Sequence, residues 1–131
     1  MDDCIFCKIV KGEIPCHKIY EDDKFLAFLD INPVSLGHTL LIPKIHYRWV
    51  YALPNFGEYC QLAQKIALNI KNSTLNPEFI SFLTMGNEVP HAHIHIIPRS
   101  QNDNIQPVLS SIPHLQPSVE EFKNITESLK F

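Results

Sequence analysis

Three histidines alternate with aliphatic residues in one short segment of the chain. His91, His93 and His95 lie within the sequence VPHAHIHIIP, which covers residues 89–98. In a β-strand successive side chains point to opposite faces, so the three imidazoles are expected to share one face of a sheet. Their outer Cα atoms would then lie roughly 13 Å apart, which is too far for one metal ion to bind all three easily. We therefore expect the three histidines to divide between different tasks.

This row of histidines has the right chemistry for attack on phosphorus. Neutral imidazole is a good nucleophile at about pH 7, and a neighbouring imidazole can stabilise an attacked phosphate through a hydrogen bond or a positive charge. Two alternatives stay open at this point. Two of the three rings could bind a metal ion, or all three could be polar residues on an open face of the sheet.

A second group of reactive residues lies near the N-terminus. The spacing Cys4-x-x-Cys7 occurs in zinc sites and in redox-active disulfides, and it also arises by chance. A thioredoxin-like motif needs the pair between a strand and a helix of a βαβ unit, whereas the strand pattern here is antiparallel. Cys16 and Cys60 have no obvious partners, and we interpret them as small buried residues. His17 and His114 are interpreted as surface residues.

Composition limits the class of protein. The chain has 131 residues, of which 45% are hydrophobic and 19% charged, which is typical of one folded domain. The net charge of −3 offers no basic surface for general nucleic-acid binding. The apolar runs are too short for a membrane span, and no signal-like segment follows the acidic N-terminus. We therefore expect a cytoplasmic protein that binds neither nucleic acid nor membranes, with the nucleus as a second location if its source is eukaryotic.

Hydrophobic periodicity predicts one long helix from about Asn55, its N-cap, to Asn72. The sequence Ser118-x-x-Glu121 predicts a capping box for a C-terminal helix that ends near Leu129. Together with the strands these helices indicate an α+β domain of four or five antiparallel strands with a helix on one face. The apolar stripe of the long helix is predicted to contain Phe56, Tyr59, Cys60, Ala63, Ile66, Ala67 and Ile70. The predicted strands are 18–20, 24–30, 38–43, 78–84 and 91–98, and segment 4–10 is either a short helix or a strand.

The histidine row and three further blocks resemble the histidine triad (HIT) superfamily of nucleotide hydrolases and transferases. The blocks are CIFCKIVKGEIP from residue 4, AFLDINP from residue 27 and GHTLLIPKIH from residue 37, and with the histidine row they cover residues 4–99 in the family's order. They are most similar to the Hint-type branch of nucleoside-monophosphate phosphoramidases. The resemblance implies a HIT-like fold with a five-stranded antiparallel sheet, one long helix and a C-terminal helix. It also implies a single HIT domain over residues 1–131, with a motif-bearing core in 1–100 and a C-terminal loop and helix in 101–131.

The resemblance assigns catalytic roles to three histidines. The middle histidine of the family row is the nucleophile, which corresponds to His93. It would attack the α-phosphorus of a purine nucleoside 5′-phosphoramidate, form a covalent nucleotidyl-histidine and then release the nucleoside monophosphate by hydrolysis. His95 and His38 would flank the α-phosphate, orient the nucleophile and offset charge on the phosphoryl oxygens. This chemistry requires no catalytic metal.

The resemblance also implies a nucleotide pocket. Asp30 corresponds to the carboxylate that accepts hydrogen bonds from the ribose hydroxyls. Family members usually carry a longer loop that ends in Gly-Gln-Ser or Gly-Gln-Thr before the histidine row, whereas this chain has Asn87 in the Gln position and Glu88 in the Ser position. Glu88 would therefore place a carboxylate, instead of a hydroxyl, at the end of the site where the leaving group departs. The apolar slot for the base corresponds to Phe6, Ile9, Ile14, Phe28 and Ile31.

A structural zinc site follows from the same resemblance. In zinc-binding HIT proteins, the N-terminal cysteine pair is completed by the histidine after the Ile-Pro-Lys strand and by the first histidine of the row. The corresponding ligands are Cys4, Cys7, His46 and His91. Such a site would be closed and tetrahedral, and it would remove the outer histidine from the active-site row.

Two other functions compete with the phosphoramidase. One is diadenosine-polyphosphate hydrolysis, the activity of the Fhit-type branch, which the CIFC block disfavours. The other is a purine-nucleotide-binding regulatory protein with little turnover, which Glu88 favours and the intact set of His38, His93 and His95 disfavours. The expected partners are a purine nucleotide derived from AMP or GMP and a second copy of the chain. Members of this branch usually form homodimers, and we expect a domain-swapped-like dimer that joins two sheets into one of ten strands.

Overall fold

A five-stranded antiparallel sheet forms the centre of the fold, as predicted. The computed structural model describes residues 3–105 and 114–131, so part of the predicted C-terminal loop lies outside these ranges. The strands are β1 (Lys18–Glu21), β2 (Phe25–Leu29), β3 (Thr39–Pro43), β4 (Phe79–Leu83) and β5 (Ile94–Arg99). They lie in the order β1-β2-β3-β5-β4. No helix in the described ranges is long and apolar enough to cross a membrane.

The long helix, α2 (Phe56–Lys71), covers one face of the sheet. Its buried stripe contacts strand residues that alternate along the chain, such as Ala27, Leu41 and Ile96. The stripe differs from the prediction in its first turns, because Phe56 and Cys60 are exposed. Asn55 occupies the predicted N-cap position, although its side chain forms no capping hydrogen bond. The buried residues of the helix are Tyr59, Leu62, Ala63, Ile66, Ala67 and Ile70.

A short helix, α1 (Ile5–Val10), covers part of the other face. The side chain of Cys4 caps its N-terminus, and the ring of Phe6 packs edge-on against Phe28 of β2 with centroids 5.7 Å apart. Every residue of β2 and β3 is buried, since one set of alternating side chains meets α2 and the other meets α1. This second layer places α1 beside the histidine row.

The C-terminal helix, α3 (Val119–Leu129), lies next to β1. The predicted capping box between Ser118 and Glu121 is confirmed. The imidazole of His17 stacks on the ring of Phe122 with a centroid distance of 4.6 Å. The helix is thus attached to the edge of the sheet through side chains rather than through strand hydrogen bonds.

Strand β5 begins three residues later than predicted, at Ile94. The backbone N–H of His91 donates to Val89, and that of Ala92 donates to Tyr47, so neither group is free to join the sheet. Of the three histidines only His95 lies in the strand, opposite Leu40 of β3. Because the first two precede the regular strand, their rings need not point in the same direction as that of His95.

Candidate active site and metal centre

A pocket of about 320 Å³ lies between α1, the end of β2 and the segment that precedes β5. It contains every residue that the sequence assigns to catalysis or to nucleotide binding. Five of these residues are apolar, and the histidines, Asp30, Asn87 and Glu88 supply the polar groups. The assigned residues that line it are Phe6, Ile9, Ile14, Phe28, Asp30, Ile31, His38, Asn87, Glu88, His93 and His95.

The tautomer of His93 is fixed by its own backbone neighbour. Its Nδ1 lies 2.7 Å from the carbonyl oxygen of His91. A carbonyl oxygen only accepts hydrogen bonds, so Nδ1 carries the proton and Nε2 keeps its lone pair. The ring is 6% exposed, and its burial lowers the pKa of His93. Phe6 packs edge-on against the imidazole at 5.3 Å and holds it in place. His93 therefore offers an unprotonated nitrogen to the pocket.

A chain of hydrogen bonds sets the opposite tautomer in His95. The backbone N–H of Val34 donates to Nδ1 of His38 at 3.2 Å, so the proton of that neutral ring lies on Nε2. This Nε2 is 2.9 Å from Nδ1 of His95 and donates to it. The proton of His95 must then lie on its own Nε2. The rings of His93 and His95 are 5.0 Å apart at their centroids, and one offers a lone pair where the other offers an N–H donor.

Burial keeps this pair of rings neutral. Desolvation is the main cause that lowers the pKa of His38 to about 3, with smaller contributions from His95 and His114. Desolvation likewise lowers the pKa of His95 to about 4. Both imidazoles are therefore uncharged near neutral pH. Val34 then donates to His38, and His38 donates to His95, as described above.

Acid is expected to destabilise the protein through His38 and His95. An unfolded histidine has a pKa of about 6.5. Below that pH the two histidines are protonated in the unfolded chain but remain neutral in the folded protein. The free energy of unfolding should therefore fall by about 1 kcal/mol per pH unit for each ring between about pH 6 and pH 5. Urea midpoints across this range would measure the slope. The double variant His38→Asn/His95→Asn should have a shallower slope, and a slope equal to that of the wild type would contradict the assignment.

Asp30 lies at the end of β2, beside His38. Its Oδ1 accepts the backbone N–H of Asn32 at 2.9 Å, and its Oδ2 is 3.6 Å from Nε2 of His38. Burial raises the pKa of this carboxyl group, while the hydrogen bond from Asn32 and the nearby His114 lower it. Oδ2 remains an acceptor that a ligand in the pocket can use.

The loop between β4 and β5 is held against Trp49. Gly86 has a φ of +78°, and a Cβ atom there would lie 2.9 Å from the indole, so this turn requires glycine. Thr84 donates from Oγ1 to the carbonyl oxygen of His93 at 2.7 Å. Asn87 and Glu88 follow the turn and are exposed at the edge of the pocket. The loop therefore adds one amide and one carboxylate to the site.

Four predicted metal ligands meet beside the N-terminus of α1. Their ligand atoms lie within 4.8 Å of one another, and the residues are Cys4, Cys7, His46 and His91. The Sγ of Cys4 is 3.3 Å from Nδ1 of His91, and the Sγ of Cys7 is 3.2 Å from Nδ1 of His46. A zinc tetrahedron with bonds of about 2.0–2.3 Å has edges of roughly 3.3–3.8 Å. Two thiols and two imidazoles at these separations fit a closed zinc site.

His91 connects this cluster to His93. Its Nε2 donates to the carbonyl oxygen of Pro43 at 2.8 Å, which leaves Nδ1 unprotonated toward the cysteines. Its own carbonyl oxygen holds Nδ1 of His93. Burial and the adjacent Cys4 raise the pKa of the Cys7 thiol to about 11, so in the absence of a metal this sulfur is protonated. A metal bound here would fix the backbone that orients His93.

A second group of ligand-type atoms is already satisfied by hydrogen bonds. Asp30, His38 and His95 lie close enough to share an ion. The hydrogen bond from Val34 to His38 keeps a proton on Nε2, the atom that a metal would need. An ion at this position would have to break that bond or remove the proton. The N–H groups of these rings are therefore suited to donate hydrogen bonds to a phosphate. The absence of a catalytic metal stays a prediction.

Several residues of the pocket were not foreseen. Cys16 lines it, whereas the sequence interpretation placed this thiol in the core. His114 is exposed, as predicted, but it also lines the pocket. Cys60 was also expected to be buried and is exposed. Arg99, which follows the histidine row, pairs with Asp103 at 2.7 Å. His114 lies beyond the family-like blocks, so no motif in the sequence could have indicated its position.

Comparisons with known proteins give the same family as the histidine row. The chain matches the HIT domain family over residues 11–102. It is 42% identical over 108 residues to the adenylylsulfatase HINT3 of Arabidopsis thaliana, with 78% of this chain and 55% of that protein covered. It is 39% identical over 107 residues to an adenosine 5′-monophosphoramidase of Schizosaccharomyces pombe, with 76% and 77% covered. A zinc-bound histidine triad family protein from Mycobacterium smegmatis has a TM-score of 0.81 and 30% identity, with 98% and 94% of the two chains covered. The chain belongs to the HIT domain family.

Proposed function

We propose that the protein is a purine nucleoside 5′-phosphoramidase that releases a nucleoside monophosphate through a nucleotidyl-His93 intermediate. The observation that carries this proposal is the pair of opposite tautomers in one pocket, with a bare Nε2 on His93 and an N–H on His95. The relative from Schizosaccharomyces pombe, named adenosine 5′-monophosphoramidase, supports the same class of reaction.

The proposed reaction consists of two displacements at phosphorus. Nε2 of His93 forms a bond to the α-phosphorus, and the P–N bond to the amine breaks, so that the amine leaves with its electron pair and takes up a proton from solvent. The carbonyl oxygen of His91 accepts a hydrogen bond from Nδ1 and stabilises the positive charge that develops on the ring. His95 donates its Nε2–H to a phosphoryl oxygen. Water then attacks phosphorus and loses a proton to solvent, the bond to His93 breaks, and the nucleoside monophosphate is released.

The nucleoside part of the substrate is proposed to occupy the rest of the pocket. Asp30 would accept hydrogen bonds from the ribose through Oδ2, which is free of backbone donors. The base would lie among apolar side chains, of which Phe6 and Phe28 form an edge-on pair. Aliphatic and aromatic contacts of this kind bind a purine ring through its faces.

Glu88 is expected to favour an amine over an anionic leaving group. Its carboxylate lies at the edge of the pocket, where it would repel a departing sulfate more than a departing amine. The variant Glu88→Gln should therefore raise the rate with adenylyl sulfate, the substrate class of the plant relative, by about 3-fold to 10-fold relative to the phosphoramidate, as expected for one partly screened charge. Release of AMP from both substrates would measure the ratio.

The neighbouring Asn87→Asp is the matched control for the effect of charge at this edge. It adds a carboxylate and should shift the same ratio in the opposite direction. If Glu88→Gln leaves the ratio unchanged, the carboxylate does not face the leaving group. If the wild type releases no AMP from either substrate but still binds AMP, the nucleotide-binding regulatory function replaces the enzyme.

We propose that the cluster of Cys4, Cys7, His46 and His91 binds structural zinc. The ligand distances and the donor set support the proposal, as does the zinc-bound relative from Mycobacterium smegmatis. Zinc at this position would supply a fixed attachment for α1 and for the segment before β5. No step of the proposed reaction passes through the metal.

We propose a homodimer that continues the sheet from one copy into the next. Strand β4 lies at the edge of the sheet, and its Phe79 and Phe82 are 43% and 55% exposed. Leu68 on α2 is 54% exposed as well. Large apolar side chains on an unpaired edge favour pairing with another copy. Light scattering should therefore give about 30 kDa, twice the chain mass of 15.1 kDa, and Phe82→Glu should lower this mass; a monomeric wild type would contradict the proposal.

A further inference from the structure

His114 reaches the pocket from the C-terminal part of the chain, outside the blocks that resemble the family. Its Nδ1 lies 2.6 Å from the carbonyl oxygen of Asn32. The backbone N–H of the next residue, Leu115, donates to the carbonyl oxygen of Pro33 at 2.8 Å. Two hydrogen bonds therefore attach this segment to the loop that follows β2, and His114 lines the same pocket as the three catalytic histidines.

The contact with Asn32 fixes which nitrogen of His114 is free. Because the carbonyl oxygen accepts, Nδ1 carries the proton, and Nε2 of the neutral ring is an acceptor. The same Asn32 donates its backbone N–H to Oδ1 of Asp30. The residue thus holds Asp30 with one backbone group and His114 with the other. His114 is also close enough to Asp30 and His38 to act on their charges.

Two acceptors at one end of a pocket are suited to a ligand with two donors. Oδ2 of Asp30 is one acceptor, and Nε2 of His114 is the other. A phosphate group offers only acceptors and would be repelled by the carboxylate. The vicinal 2′- and 3′-hydroxyls of a ribose offer two O–H donors on adjacent carbons, which matches such a pair.

We propose that His114 is a substrate-binding residue that, together with Asp30, accepts hydrogen bonds from the ribose hydroxyls of the nucleotide. This inference rests on the proposed function in so far as it takes a ribonucleotide as the ligand. It assigns to the C-terminal segment a role in selecting ribonucleotides over nucleotides that lack these hydroxyls.

Equilibrium titrations with AMP and with 2′,3′-dideoxy-AMP test the proposal. The variant His114→Ala should weaken AMP binding by about 5-fold to 10-fold, as expected for one lost hydrogen bond, and should leave the affinity for the dideoxy nucleotide unchanged. Leu115→Ala is the matched control, because it alters the neighbouring side chain and keeps the backbone hydrogen bond to Pro33. It should change neither affinity.

Three results would overturn the assignment. An equal loss of affinity for both nucleotides would show that His114 only maintains the shape of the pocket, and unchanged AMP binding would show that it makes no contact. If the wild type does not bind AMP, the assumption that the pocket binds a ribonucleotide is wrong. Hydrolysis of adenosine 5′-phosphoramidate by the wild type, measured in parallel, tests the proposed function separately. Ribose-dependent binding without hydrolysis would keep the role of His114 and reject the phosphoramidase.

Discussion

Replacing His93 by alanine is expected to reduce the release of AMP from adenosine 5′-phosphoramidate by at least about 10³-fold. The variant removes the atom that is proposed to attack phosphorus, and neither His38 nor His95 presents a bare nitrogen in its place. Nε2 of His95 carries a proton because of the hydrogen-bond chain through His38, and so does Nε2 of His38 itself. Steady-state release of AMP at saturating substrate would measure the loss as a fall in kcat.

Two controls separate loss of the nucleophile from loss of the fold. The His93→Ala variant should still bind AMP, since Asp30 and the apolar slot are untouched. The matched control is His17→Ala, which removes an imidazole that stacks on Phe122 outside the pocket and should retain activity. A His93→Ala enzyme with more than about a tenth of the wild-type kcat would rule out the nucleophile assigned here.

Loss of the metal is expected to produce the largest change in stability. Cys7→Ser removes one of four ligands and should lower the zinc content, measured by elemental analysis, from one ion per chain to a small fraction. If free zinc is about a thousand times its Kd, linkage predicts a loss of about 4 kcal/mol in the free energy of unfolding. For a domain of this size the Tm should then fall by on the order of 10 °C. A chelator should have the same effect on the wild type.

Cys60→Ser provides the matched control for the metal site. It makes the same chemical change at an exposed cysteine outside the cluster and should preserve both zinc content and Tm. The chelator should leave the Tm of Cys7→Ser unchanged, because its site is already lost. If purified wild type contains no zinc and its Tm is insensitive to zinc and to chelator, the cluster is a thiol–imidazole network and not a metal centre.

Much of the fold could be predicted because local patterns coincide with tertiary packing. The helix α2 follows from apolar residues at three- and four-residue spacing, and the capping box of α3 from Ser118 and Glu121. The start of β5 could not be predicted. It depends on the backbone of Ala92 bonding to Tyr47, which is a distant contact that strand alternation does not contain.

In the site as well, features that depend on local sequence could be predicted, and features that depend on distant contacts could not. The sequence predicts that the three histidines divide their tasks, and the structure places His91 in the metal-type cluster and the other two in the pocket. Which ring nitrogen carries a proton is decided by Val34 and by a backbone carbonyl, neither of which any motif identifies. The position of His114 depends on its hydrogen bond to Asn32 in the loop after β2, which is a distant contact that the sequence does not reveal.

The stereochemical course at phosphorus tests whether His93 forms a covalent intermediate with the nucleotide. A nucleotidyl-His93 intermediate requires two displacements, each of which inverts the configuration, whereas direct attack by water requires one. Hydrolysis of a single diastereomer of adenosine 5′-phosphorothioamidate in ¹⁸O-labelled water would report the outcome. We expect overall retention of configuration, with the label in the released nucleotide. Overall inversion would mean that water attacks phosphorus directly and that His93 is not the nucleophile.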